Sequence, residues 1–166
     1  MHGVCGIAGA VSLDGELSPE VSSAITAMTD RLYHRGPAGG GYFHAPWVAL
    51  GHRRLAIIDR AGGEQPMANE DRRVWIVFNG EIYNHRELRH ELQARGHHFR
   101  TQSDTEAIVH AYEEYGDACV ERLAEPENAV AKHLVFKVDV VGGESEAVHV
   151  DPFRNAHVEV AQRFGG

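Results

Sequence analysis

Apolar positions along the chain recur with two periods, and each marks a different kind of element. Cys5-Gly6-Ile7-Ala8-Gly9-Ala10-Val11 is a short apolar run that predicts a strand buried on both sides, its glycines allowing close backbone approach. Asp14-Gly15 signals a turn. Ser18 as cap and Pro19 at the first helical position open a helix, and Val21, Ala24, Ile25, Met28 and Leu32 follow at helical spacing as its predicted core face. Arg35-Gly36-Pro37 ends it, and Gly39-Gly40-Gly41 reads as a flexible loop. Val48–Leu50 and Leu55–Ile58 are strand-like, and Val74-Trp75-Ile76-Val77-Phe78 is the strongest strand signal in the chain. Two helices come next, each with capping-box spacing at its start and a glycine at its end: Asn84 with Glu87, closed by Gly96, and Ser103 with Glu106, closed by Gly116. Leu88 and Leu92 face inward on the first, and Ile108, Ala111, Tyr112 and Tyr115 on the second. Strands and helices in mixed order up to Leu123 predict an α+β layered domain. Beyond it, Ala124–Asn128 reads as a linker, and Leu134–Val141 and Val148–Val150 as strands around Gly142-Gly143.

Composition sharpens this picture by exclusion. The chain has 166 residues, 43% hydrophobic and 24% charged, which fits one ordinary globular core and not a disordered or fibrous protein. A formal charge of -8 argues against broad nucleic-acid binding. No apolar run reaches the roughly 20 residues of a membrane span, and Met1–Val4 lacks the character of a secretory signal, so a cytoplasmic location is expected. The two cysteines, Cys5 and Cys119, do not make a disulfide framework.

Four features could carry chemistry. By position alone Cys5 reads as a buried strand thiol. The other reading is a nucleophile whose own α-amine, once the preceding residues are removed, serves as general base; its reference pKa of about 7.7–8.0 suits that task. Cys119 reads as core. Phe78-Asn79-Gly80 is either a hairpin turn or a pair of oxyanion donors, the Asn79 amide and the Gly80 N–H. The arginines of Gly51–Asp59 either snorkel at the surface or clamp a carboxylate. Asp104, beside the Ser103 cap, either belongs to the helix start or holds a substrate ammonium. The twelve histidines show no zinc-helix spacing, since His85 and His90 are five apart and His97-His98 are adjacent, so no metal is expected.

Taken in order, Cys5-Gly6-Ile7-Ala8-Gly9, His34-Arg35-Gly36-Pro37, Gly51–Asp59, Gly62-Gly63-Glu64-Gln65-Pro66-Met67, Phe78–Asn84 and Ser103-Asp104-Thr105-Glu106 closely resemble the glutaminase domain of class II glutamine amidotransferases, above all of glutamine-hydrolysing asparagine synthetases. The resemblance covers residues 4–123. It implies an N-terminal-nucleophile αββα sandwich of two antiparallel sheets between helix layers, incomplete at the C-terminus, with 1–123 the glutaminase domain and 124–166 a divergent tail without assigned chemistry. It also implies roles: Cys5 as nucleophile, Asn79 and Gly80 as oxyanion hole, Arg54 as clamp on the α-carboxylate of L-glutamine, Leu55, Ala56, Ile57 and Ile58 as pocket wall, and Glu81 and Asp104 as contacts to the α-amino group. No cofactor is expected in this chain, because ATP and magnesium belong to a separate synthetase domain, whose Ser-Gly-Gly-x-Asp-Ser loop this sequence lacks. The expected partner is the synthetase domain or chain that receives ammonia, and a homodimer is among the assemblies allowed.

Three departures qualify the resemblance. Met1-His2-Gly3-Val4 precede a nucleophile that the family places directly after its initiator, so activity requires that they be cleaved or, if Val4 is a GTG start, not translated. Ala38-Gly39 stand where the family has an aspartate, which predicts a more mobile loop. An apolar segment expected soon after Leu123 is replaced. The reading from another class is a non-catalytic glutamine-binding or interaction module, or the remnant of a truncated synthetase.

Overall fold

The computed structural model describes residues 5–12, 15–55, 62–123, 136–141 and 144–146. Strands β1 (Gly6–Val11), β2 (Gly39–Ala45) and β3 (Val48–Arg54) form an antiparallel sheet in the order β1-β3-β2. Strands β4 (Met67–Ala68), β5 (Val74–Val77), β6 (Phe136–Val141) and β7 (Glu144–Glu146) form a second antiparallel sheet in chain order. The helices are α1 (Pro19–Arg31), α2 (His85–Ala94) and α3 (Asp104–Tyr115), with short 3₁₀ segments at Leu32–His34 and Gly116–Arg122. None is long and apolar enough to cross a membrane.

Strand alternation explains how these elements pack. On β3, Ala49 clusters with Ala8 of β1, with Ile25 of α1 and with Leu32 just after that helix, and Gly51 lies against Thr29 of the same helix. The opposite face of β3 turns Val48 and Leu50 toward Val77 and Trp75 of the second sheet, where Phe43 stacks on Trp75 with ring centroids 3.9 Å apart. β5 in turn directs Val74 and Ile76 into the largest core cluster, with Leu88 and Leu92 of α2 and Ala107, Ile108 and Ala111 of α3. The strongest strand of the sequence is thus the one between β4 and β6, apolar on both faces.

Several expectations are met. Ser18 Oγ caps α1 on the Val21 N–H, Ser103 Oγ caps α3 on the Thr105 N–H, and Gly96 and Gly116, both with positive φ, end the later helices. Cys119 is core, and burial pushes its thiol up to about 11, with Asp117 adding to the shift.

Others are corrected. β1 lies at the edge of its sheet, with Gly6 and Ala8 buried and its other residues half-buried; the strand of that sheet covered on both faces is β3. The core face of α1 is Ile25 and Thr29, continued by half-buried Leu32 in the 3₁₀ segment, while Val21 and Met28 are 38% and 53% exposed and Ala24 is also exposed. Thr29 is tolerated inside because its hydroxyl donates to the Ile25 carbonyl at 2.8 Å. Gly39-Gly40-Gly41 is not a loop but the first half of β2, registered against Arg54, Arg53 and His52. Gly41 is a packing requirement there: a Cβ on it would stand 2.2 Å from the Gln65 carbonyl oxygen. Asn84 does not cap α2 through its side chain; its Nδ2 donates to the Arg122 carbonyl at 2.7 Å. Glu106 does not reach back to the Ser103 N–H. It accepts from the N–H groups of Arg100 and Thr101 and from the Thr101 hydroxyl, and Ser103 N donates to Thr101 Oγ1. Leu55 lies past the end of β3. Asp14, Ala56–Ile58, the 124–128 linker, Gly142-Gly143 and Val148–Val150 lie outside the described residues. Within the tail, β6 pairs residue for residue with β5, Phe136 opposite Val77 and Asp139 opposite Val74.

Candidate active site

The end of β5 is where the predicted site residues meet. β5 stops at Val77, and Phe78–Ile82 runs on toward α2. From this segment Asn79 Oδ1 accepts the Cys5 N–H at 3.1 Å, across 74 positions of sequence. Cys5 Sγ accepts the Leu55 N–H at 3.4 Å, just beyond the end of β3. Cys5 is half-buried, as are Asn79 and Gly80, so the thiol is held by backbone without being sealed into the core. Asn79 fixes the position of the Cys5 nitrogen, and that bond in turn sets the Asn79 amide with its oxygen toward Cys5 and its Nδ2 on the other side.

Arg54 is reached through β3. It shares a face of that strand with Val48, Leu50 and His52 by alternation, and its guanidinium lies over Gly63, where a Cβ would stand 2.8 Å from Nη2. The His34–Pro37 turn supports it from behind. Gly36 is packed so closely that a Cβ there would come within 2.3 Å of the Arg53 carbonyl carbon, and Ala38 N donates to the Arg54 carbonyl. Gly36→Ala is therefore expected to cost about 1–3 kcal/mol of stability, since the obstacle is backbone and not a side chain that can swing away. Urea unfolding measures it. An unchanged midpoint would show that the turn backs off freely.

Asp104 is the first residue of α3. Its Oδ2 accepts the Ile82 N–H at 3.0 Å and its Oδ1 the Thr105 N–H at 2.8 Å, which ties the helix start to the Phe78–Ile82 segment. Glu81 is exposed on that same segment. The structure thus brings Cys5, Leu55 and Asn79 into direct contact, and holds Asp104 to the chain two residues after Gly80. Ala56, Ile57 and Ile58 lie outside the described residues.

Two residues without a role in the sequence reading belong here. Gln65 accepts the Phe78 N–H through Oε1 at 2.5 Å and donates from Nε2 to Thr105 Oγ1 at 3.3 Å, while its backbone oxygen faces Gly41. The side chain thereby joins the end of β5 to the start of α3, while the backbone of the same residue packs against β2. His52 is 1% exposed between Leu50 and Arg54 on β3. Burial lowers its pKa to about 4; the Phe78 backbone opposes this only in part, neither ring nitrogen reaching hydrogen-bond geometry, and the Arg54 charge adds to the lowering. As pH falls from 6.5, the unfolded chain takes up a proton that folded His52 refuses until about pH 4, so stability falls through that window. The expected loss is on the order of 3 kcal/mol between pH 7 and pH 4. Denaturant melts of wild type and His52→Gln check it: the variant should lack that part of the pH slope, and equal slopes would reject the assignment.

Comparison with known proteins decides the family. The profile described as "Glutamine amidotransferase domain" matches residues 4–125. The chain belongs to the glutamine amidotransferase domain family. Among curated proteins this glutamine amidotransferase domain is 48% identical over 99 residues to "Asparagine synthetase [glutamine-hydrolyzing] 1" of Bacillus subtilis (strain 168), covering 60% of the chain and 16% of that protein. It is 45% identical over 123 residues to "Asparagine synthetase [glutamine-hydrolyzing]" of Zea mays and 42% over 123 residues to "Asparagine synthetase [glutamine-hydrolyzing] 3" of Arabidopsis thaliana, in each case 74% of the chain and 20% of the relative. The chain spans about a fifth or less of the length of these relatives.

Proposed function

We propose that this domain hydrolyses L-glutamine to L-glutamate and ammonia through a Cys5 thioester. The observation that carries the reading is the hydrogen bond from Cys5 N to Asn79 Oδ1. It places a thiol, its own main-chain nitrogen and a side-chain amide within one contact shell, the three groups that acyl transfer by an N-terminal nucleophile needs. When Cys5 is the first residue, that nitrogen is an amine that takes the thiol proton, directly or through a water. The thiolate, which the Leu55 N–H faces, attacks the carboxamide carbon of glutamine. Charge on the carboxamide oxygen is met by Asn79 Nδ2 and the Gly80 N–H. The amine returns its proton to the departing nitrogen, ammonia leaves, and water hydrolyses the thioester to restore the thiol.

Arg54 serves this scheme as the bidentate partner of the substrate α-carboxylate, and Asp104 with Glu81 as acceptors for its α-ammonium. Leu55, whose N–H faces the thiol, lines the site beside it. The packing of α1 on the first sheet, of that sheet on the second, and of the second on α2 and α3 supports an N-terminal-nucleophile αββα sandwich. The relatives are named for a glutamine-hydrolysing synthetase, so the ammonia acceptor is proposed to be a synthetase activity on a partner domain or chain, and the ATP and magnesium that such an activity uses belong there.

The test joins intact mass to turnover. A protein whose mass begins at Cys5, and which releases equal amounts of ammonia and glutamate from glutamine, supports the reading. Full turnover by protein that still begins at Met1 would overturn the role of the amine, and a homogeneous Cys5-initiating protein that binds glutamine without hydrolysing it would make the domain a binding module.

A further inference from the structure

Away from Cys5, four side chains from three separate segments converge. Glu70 follows β4, His97 lies in the connection from α2 to α3, and His110 and Glu113 stand three apart on α3. One ligand atom from each lies within 4.8 Å of all the others. Sequence spacing concealed this, because His97 and His110 are brought together by the fold of two helices and not by the period of one.

We infer that Glu70, His97, His110 and Glu113 form a binding site for a zinc ion, which clamps the β4–β5 turn and the α2–α3 connection to α3. The distances carry the first argument. A tetrahedral zinc ion with ligands at about 2.1 Å has ligand-to-ligand edges of about 3.4 Å. His110 Nδ1 is 3.4 Å from Glu70 Oε2 and 3.5 Å from Glu113 Oε2, and His97 Nδ1 is 3.4 Å from Glu113 Oε2. Three edges of the tetrahedron are therefore in place.

The second argument is His110 itself. Its side chain is 1% exposed, and neither ring nitrogen has a hydrogen-bond partner. A buried imidazole faced by carboxylates at 3.4–3.9 Å but making no hydrogen bond is costly, and a metal ion at Nδ1 removes that cost. The third is what stands behind the ligands. A metal-bound imidazole ordinarily presents its other nitrogen to a carboxylate. His97 Nε2 lies 3.3 Å from Glu114 Oε2, and Glu114 is held by Arg95 at 2.7 Å. His110 Nε2 faces Glu106 Oε1 at 3.9 Å, and Glu106 is anchored by three donors from Arg100 and Thr101. Glu70 Oε1 accepts the His98 N–H at 2.8 Å, which turns its Oε2 to the cluster.

Two neutral imidazoles and two carboxylates bring a doubly charged ion to neutrality, and the donor set suits zinc over calcium or magnesium, which take oxygen alone. The site is separate from the Cys5 chemistry. His110 is six residues along α3 from Asp104, about 9 Å of helix. With all four corners of the tetrahedron supplied by protein, the ion has a structural and not a catalytic part.

The experiment uses the full chain, stripped with a chelator and titrated with zinc against a chromophoric competitor. One equivalent is expected to bind with sub-micromolar affinity and to raise the thermal midpoint. Cobalt(II) should give tetrahedral visible bands without a thiolate charge-transfer band. His97→Gln and Glu113→Gln should each weaken zinc by about 100-fold or more, whereas Cys5→Ala should leave it intact. Using two variants on different segments guards against one that fails to fold. Binding that both variants preserve, binding lost with Cys5, or less than one equivalent in folded wild type each overturns the site and leaves His97 and His110 as ion-paired histidines.

Discussion

Cys5→Ala is expected to abolish glutamine hydrolysis, a loss of at least about 10³-fold, while moving the thermal midpoint by no more than a few degrees. The size of the kinetic effect follows from the scheme: without sulfur there is no thioester, and the amine, oxyanion donors and substrate clamp have nothing to assist. The small structural effect follows from the surroundings. Cys5 is half-buried just before β1, and among the described residues its Sγ accepts a long hydrogen bond from the Leu55 N–H. Glutamine binding should survive, because Arg54 and Asp104 are untouched. Cys119→Ala is the internal control. That thiol is buried with its pKa pushed up to about 11, so almost none of it is thiolate at neutral pH, and its removal should leave turnover unchanged. Activity equal to wild type in Cys5→Ala, measured as ammonia release on protein shown by mass to begin at residue 5, would remove the nucleophile from this reading.

Which parts of the molecule were legible in the sequence follows a physical division. Local rules worked where the cause was local. Ser18 and Ser103 are caps, Gly96 and Gly116 are stops, and β5 is apolar because both its faces are covered. They failed where a distant element decided the outcome. Three consecutive glycines read as a loop, yet they pair with β3, and Gly41 is a glycine because the Gln65 carbonyl leaves no room for a side chain. The helical face of α1 was read from hydrophobicity, but Gly51 selects Thr29, and Met28 is left at the surface. At the site, Cys5, Asn79 and Asp104 could be given roles from type and motif, whereas Gln65 and His52, though inside quoted motifs, could not. Gln65 acts by bridging β5 to α3, and His52 by being enclosed, and neither property has a signature in spacing. The Glu70, His97, His110 and Glu113 cluster is the extreme case, with its two histidines on separate segments.

Asn79→Asp separates two duties that one side chain performs. Its oxygen accepts from Cys5 N, and its Nδ2 is the proposed donor to the oxyanion. The aspartate keeps the first, since a carboxylate oxygen accepts that hydrogen bond at least as well, so the N-terminus should hold its place. It loses the second and sets negative charge where negative charge must develop. Removing one oxyanion donor costs about 10²–10³ in kcat, or about 2.7–4 kcal/mol, and the added repulsion puts Asn79→Asp at or beyond the upper end. The Gly80 N–H stays, so some activity persists above that of Cys5→Ala. KM for glutamine should change little, because the lost contact forms only in the transition state. Asn79→Ala forfeits both duties and should in addition lose about 1 kcal/mol of stability, which the aspartate variant retains. The pair is thus diagnostic: a kcat that falls in the alanine variant alone would mean that Asn79 acts only by holding Cys5, and the oxyanion hole would have to be sought elsewhere in the site.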